Sequence, residues 1–110
     1  MANVFETFSS RAVGNSLTAV GSHTVAGGTT ETCIGLTVSN ITASAVSVTV
    51  TYNDASNDTH IVKNAPVPAG SSLVPIGGDQ KIVLTVGDSI KVSSNTASSI
   101  DAVMSVLQQT

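Results

Sequence analysis

Val46, Val48, Val50 and Tyr52 alternate with Ser47, Thr49 and Thr51. A period of two puts the four large groups on one side of an extended chain and the hydroxyls on the other. A helical stripe needs three-residue as well as four-residue spacings, and the positions three residues on hold Thr49, Thr51 and Asn53. The segment is therefore expected to be a half-buried strand. Thr32 to Asn40 repeats the pattern, with Ile34, Leu36 and Val38 expected inside and Cys33, Gly35, Thr37 and Ser39 on the opposite face. Lys81 to Val86 sets Ile82, Leu84 and Val86 on one side, and Ile90 and Val92 mark a further strand.

The remaining segments are shorter or less regular. Leu17 to Val25 reads as a first strand ended by Ala26-Gly27-Gly28, where a glycine pair permits positive φ. Ile61 and Val62 centre another strand after the polar loop Asn53 to Asp58, and Ser72 to Ile76 forms one ending near Pro75. Between them, Ala65-Pro66-Val67-Pro68-Ala69-Gly70 reads as a crossing or edge segment, because its two prolines lack the donor a central strand needs. Residues 99–107 fit two periods. Ile100, Val103, Met104 and Leu107 suit a helix, whereas Ile100, Ala102, Met104 and Val106 suit a strand. The β-branched Val103 and Val106 favour the strand.

About eight short strands separated by small polar turns predict an all-β domain, an antiparallel β-sandwich of jelly-roll-like form. It is expected to span residues 17–110, preceded by an N-terminal arm over residues 1–16. The expected core is Ile34, Leu36, Val38, Val46, Val48, Val50, Ile82, Leu84, Ile90, Val92, Met104 and Val106.

Composition narrows what such a domain does. Sixteen Ser and fourteen Thr fill the outward positions, while Lys and Arg total four and the net charge is -3. Four scattered cations cannot assemble a phosphate-neutralising patch, so nucleic acid is not an expected partner. No apolar run reaches the length of a spanning helix, and no membrane partner is expected. The opening Met1 to Phe8 has neither a basic region nor an apolar stretch, so no secretory leader is expected there. The single Cys33 reads as a buried, inert thiol compatible with folding in a reducing cytoplasm.

Candidate chemistry is sparse. A hydrolytic triad needs a base beside a nucleophile, and the two histidines, His23 and His60, read instead as edge residues satisfying backbone groups. Asp54, Asn57 and Asp58 make an oxygen-rich loop without the twelve-residue frame, central Gly and terminal Glu of a calcium hand, and they read as turn formers. Gly77-Gly78-Asp79-Gln80-Lys81 lacks the phosphate-loop spacing and reads as a hairpin turn. Tyr52, on an apolar face, is a poor platform for sugar stacking, though a glycan-binding sandwich remains the alternative outside a structural role. No catalytic residue, cofactor or metal is expected, and the chain is not expected to be an enzyme.

What stands out is surface. Hydroxyl-faced strands present no charge barrier to neighbours. In residues 1–16, Phe5 and Phe8, the only phenylalanines, together with Arg11 are the candidate interface residues. The rings either cap the chain's own core or dock on a neighbouring molecule.

Three stretches also carry a resemblance. Lys63-Asn64-Ala65-Pro66-Val67-Pro68-Ala69-Gly70-Ser71-Ser72-Leu73, Gly77 to Leu84, and Gly87-Asp88-Ser89-Ile90-Lys91-Val92 with Ser94-Asn95 are similar to a family of small virion proteins of tailed bacteriophages, many from aquatic phages including those of cyanobacteria. The likeness starts near Val25, passes through Ile34 to Asn40 and runs to the carboxyl end. It implies a β-sandwich that assembles, with no enzymatic role, on a major capsid protein or other virion proteins. The small core and weakly charged outer faces separately lead to the expectation of a homo-oligomer, with the trimer common among such virion proteins favoured. Its expected place is the virion after synthesis in the host cytoplasm. The implied role is that of a structural protein of the particle. Size, acidity and the aromatic arm favour a capsid decoration or cement protein, with a neck, collar, fibre-base or tail accessory protein as the alternative.

Overall fold

The computed structural model describes residues 2–110. Two antiparallel sheets face each other with the apolar side chains between them. One contains β1 (Asn3–Val13), β9 (Ile100–Gln109), β3 (Thr30–Asn40) and β6 (Ser72–Ile76) in that order, with β7 (Ile82–Leu84) also paired to β3. The other has the order β2 (Thr18–Ala19), β8 (Ser89–Ser94), β4 (Val46–Asn53) and β5 (Asp58–Val67). The all-β sandwich expected from the alternation is thus present, with nine strands among the described residues.

The segment that fitted two periods, residues 99–107, lies in β9, the strand between β1 and β3. Burial of Ile100, Ala102, Met104 and Val106 alternates with exposure of Val103 and Ser105. A strand with neighbours on both sides buries one full face at period two, and a helix at the same place would leave two ladders unpaired. The proline segment lies at the end of β5, a sheet edge, where a missing donor costs little.

Three expectations are corrected. Leu17 to Val25 is not one strand: only Thr18–Ala19 pair, and Val20–Ser22 form a 3-10 turn in which Gly21 has φ 65°. A β-carbon at Gly21 would also stand 2.8 Å from Cβ of Phe8, so both backbone and packing require glycine there. Second, the arm is a strand. Residues 3–13 pair with β9 from Asn3↔Gln109 to Val13↔Ile100, and the folded surface of 5564 Å² is about that of a compact monomer of this mass. The pairing partner lies at the far end of the chain, where local pattern gives no hint of it.

The third correction concerns β3. Leu36 and Val38 are buried as expected, but Cys33 is fully buried and Ile34 only half-buried. The register against β9 jumps between Cys33↔Val106 and Gly35↔Ser105, a bulge in which two residues oppose one. The extra residue reverses the faces on its amino-terminal side, so Glu31 and Cys33 join the interior. Ile82, on short β7, is also only half-buried, and Val86, expected on the same face, lies beyond the end of that strand and is exposed, whereas Leu84 between them is fully enclosed. The other expected core residues are all buried.

Candidate interface at the margin of the five-stranded sheet

The three candidate interface residues all lie on β1, and the strand separates them. Phe8 pairs with Met104, which points inward, so Phe8 faces the interior. Phe5 pairs with Leu107 three residues away and therefore projects from the opposite, outer face, where its ring is 74% exposed. Arg11 lies in the bulge between Ser10 and Val13, its side chain exposed and remote from both rings along the strand. The bulge is held by Asp101, whose Oδ1 accepts a hydrogen bond from Ala12 N–H at 2.8 Å while Ala12 takes φ 54°. The two readings of the phenylalanines therefore divide between them: Phe8 covers its own core, and Phe5 is free.

Phe8 is anchored by His23 and, behind it, by Glu31 and Gln108, which the sequence does not single out. Its ring stacks on His23 with centroids 3.8 Å apart and planes 10° from parallel. His23 Nε2 lies 2.7 Å from Oε2 of Glu31, and Gln108 Nε2 donates to the same oxygen at 3.0 Å. Glu31 is fully buried and its Oε1 has no protein partner. His23 is thus a side-chain partner of a buried carboxylate, not an edge residue serving the backbone. The signal was hidden because the β3 bulge alone puts Glu31 on the inner face.

Around Phe5 the outer face lacks charge. Phe5, Leu107, Thr32 and Val83 form one row across β1, β9, β3 and β7, and Ser9, Val103 and Thr37 form another. Val83 and Val103 are exposed, at 59% and 48%. Along the outward positions of β1 from Asn3 to Ser9, and of β9 and β3, the one ionisable side chain is Asp101 at the end; Glu6 of β1 lies on the opposite face, across from Val106. The other sheet is different: Lys91, Thr51 and His60 form a row across β8, β4 and β5, with Asp58 beside it. Hydrogen bonds from Asn53 and Thr51, with the nearby Lys91 and His60, hold the Asp58 carboxyl below its usual range.

The remaining candidates are occupied locally. Asp54 accepts the backbone N–H of Ser56 and Asn57 at 3.0 and 2.7 Å, which fixes the loop as a turn and lowers its pKa. The Tyr52 hydroxyl donates to Oδ2 of Asp88 at 2.6 Å, and Thr85 donates to the same oxygen from its N–H and hydroxyl. Burial pushes the Asp88 pKa up, but these hydrogen bonds outweigh it and leave the carboxyl below its ordinary value. The bond to Asp88, with burial and the carboxylate charge, pushes Tyr52 up to about 12. Cys33 is enclosed, and burial pushes its thiol up to about 11. Such a thiol carries almost no thiolate near neutrality and is a packing group.

Comparison with protein-family models and with curated proteins finds no match to this chain.

Proposed function

We propose that the chain is a non-enzymatic structural protein of a tailed-phage particle, a decoration or cement protein on the head. The observation that carries this reading is the uncharged, partly apolar outer face of the five-stranded sheet, running from Phe5 through Leu107 and Thr32 to Val83. An exposed sheet face of this kind suits repeated contact with a neighbouring surface, because no charge has to be desolvated when it is covered.

Strand order adds support. With short β7 set aside and β8 and β9 counted as seventh and eighth, the strands run 1-8-3-6 in one sheet and 2-7-4-5 in the other, an order that supports reading the sandwich as a jelly roll. That architecture recurs in viral capsid domains and also in lectins and cupins, so it is an analogy of fold and does not by itself identify a role. The resemblance of residues 63–92 to phage virion proteins favours the first of these. Attachment at the neck, a collar, a fibre base or the tail is the alternative position on the same particle.

The test is quantitative detection of the chain in purified particles of a phage that encodes it. A copy number matching the head lattice supports decoration. A number matching a single ring moves the protein to the neck or tail, and absence from gradient-purified particles overturns the reading.

A further inference from the structure

We propose that two copies of the chain associate through β1, residues 3–7 pairing antiparallel with the same residues of the second copy about a two-fold axis at Phe5. This goes beyond the virion reading and stands independently of it. The argument begins with where the backbone of β1 points. Ala2 and Thr110 exchange both backbone hydrogen bonds, at 3.2 and 3.0 Å. Bonded and non-bonded pairs alternate along an antiparallel ladder. In the β1–β9 register the bonded positions on β1 are therefore the even ones, and Asn3, Phe5, Thr7 and Ser9 turn their N–H and C=O groups to the open side. At Ser9 this side is crowded, since a β-carbon on Gly21 would stand 3.2 Å from its nitrogen. Asn3, Phe5 and Thr7 remain as a short row of unpaired donors and acceptors.

A second β1 is the partner that fits this row. A two-fold axis normal to the sheet keeps the outer face outward in both copies, so odd positions must pair with odd positions. Placing Phe5 opposite Phe5 puts Asn3 opposite Thr7 twice over, and all three free residues of each copy are bonded. Glu6 then lies opposite Val4. Sliding to Phe5 opposite Thr7 would set Glu6 against Glu6, a like-charge pair that a ladder disfavours. Sliding further, to Thr7 opposite Thr7, would require Ser9, which Gly21 obstructs. Shifting the other way leaves Thr7 beyond the start of the partner strand. In the remaining register the two Phe5 rings meet on the outer face, each backed by its own Leu107, which covers the most exposed large apolar group of the described residues. The geometry is a dimer, unlike the trimer expected from the resemblance.

The experiment uses the full chain. Sedimentation over a dilution series should show a reversible monomer–dimer equilibrium. Phe5→Cys, oxidised, should be captured as a covalent dimer, because bonded pairs stand about 5.5 Å apart at Cα, within disulfide reach. Thr7→Cys should not, because in this register Thr7 faces Asn3. Cys33 is buried and does not compete. Thr7→Pro removes an outward N–H that β9 does not use, so dissociation should strengthen about ten-fold or more with the circular dichroism unchanged. If that variant misfolds, Thr7→Lys supplies the same test by placing a charge at the seam. A chain that stays monomeric at every concentration, a trimer, equal capture of both cysteine variants, or a dimer indifferent to both Thr7 variants would overturn the proposal. A monomer whose Thr7→Lys variant fails to join particles would give the strand to a different partner.

Discussion

β1 and β5 lie at opposite kinds of margin, although they run for 11 and 10 residues and each closes one end of its sheet. β5 carries two register shifts against β4, a positive φ at Asn64, a proline at position 66, and Asp58 and Lys63 along its length. Each of these blunts a strand edge: bulges twist it away, proline removes a donor, and charge resists burial. β1 stays in register from Asn3 to Ser10, has one bulge beyond that point, and places its one acid on the inner side. Natural sheets seldom leave a long regular edge bare unless something pairs with it. The difference also extends to the sheet faces, charged around β5 and uncharged around β1.

The sharpest way to break this comparison is to detach β1 from its own sandwich. His23→Ala removes the group that stacks on Phe8 and the nearest partner of buried Glu31. The loss expected in urea unfolding is about 3 kcal/mol, because a buried carboxylate is left with Gln108 alone. Glu31→Gln should cost less, as a neutral amide keeps a hydrogen-bonding group beside His23 and Gln108. If His23→Ala unfolds at the parent midpoint, β1 is not secured from its inner side.

The two phenylalanines then test the two faces of one strand. Phe8→Ala should cost about 2 kcal/mol of monomer stability, below the full cost of a core ring because Phe8 is only half-buried. Phe5→Ala should change monomer stability by less than about 0.5 kcal/mol. Equal costs in dilute urea titrations would erase the distinction between an inward and an outward ring.

At the far end of the four-stranded sheet, the pH profile reports the pair Tyr52 and Asp88. Asp88 has a lowered folded pKa, so its contribution is complete above the unfolded carboxylate value, about pH 4, and is lost as pH falls through its folded value. Tyr52 has a raised folded pKa, so its contribution is complete below about pH 10 and is lost as pH rises through about 12. Tyr52→Phe should cost about 1.5 kcal/mol at neutrality, flatten the alkaline limb and move the acid limb upward. An unchanged acid limb would mean that Thr85 alone holds Asp88.

The smallest effect sharpens the contrast from the other side. Lys63→Thr with Pro66→Ala strips two guards from β5 while leaving the core alone. Stability should move by less than about 0.5 kcal/mol, and light scattering on heating should reveal a new tendency to associate. A double variant as soluble as the parent would show that the bulges of β5 suffice.

Much of this was legible in the residues. The faces of Val46 to Val50 in β4, of Ile90 to Ser94 in β8 and of Ile100 to Val106 in β9 follow from alternation, because a strand covered on one side places every second residue inside. Pro66 announced an edge, Asp54 a self-bonded turn, and the serines and threonines an outer surface of low charge. Phe5 and Phe8 were recognised as rings needing cover, but their opposite fates depend on β1 being a strand.

What tertiary structure alone decided is where alternation is interrupted and which distant segments meet. In Thr30-Glu31-Thr32-Cys33-Ile34-Gly35 the one local sign of a bulge is Gly35, a glycine inside a strand pattern, and the register that β9 takes on either side of it is not written in that segment. That one extra residue carries Glu31 into the interior, creates its bond to His23 and reverses the place of Cys33. The conversion of the opening residues from arm to edge strand has the same origin. A terminal segment becomes a strand when the last strand of the chain offers a free ladder beside it, and backbone groups pair with whatever ladder the fold supplies, without regard to separation in sequence.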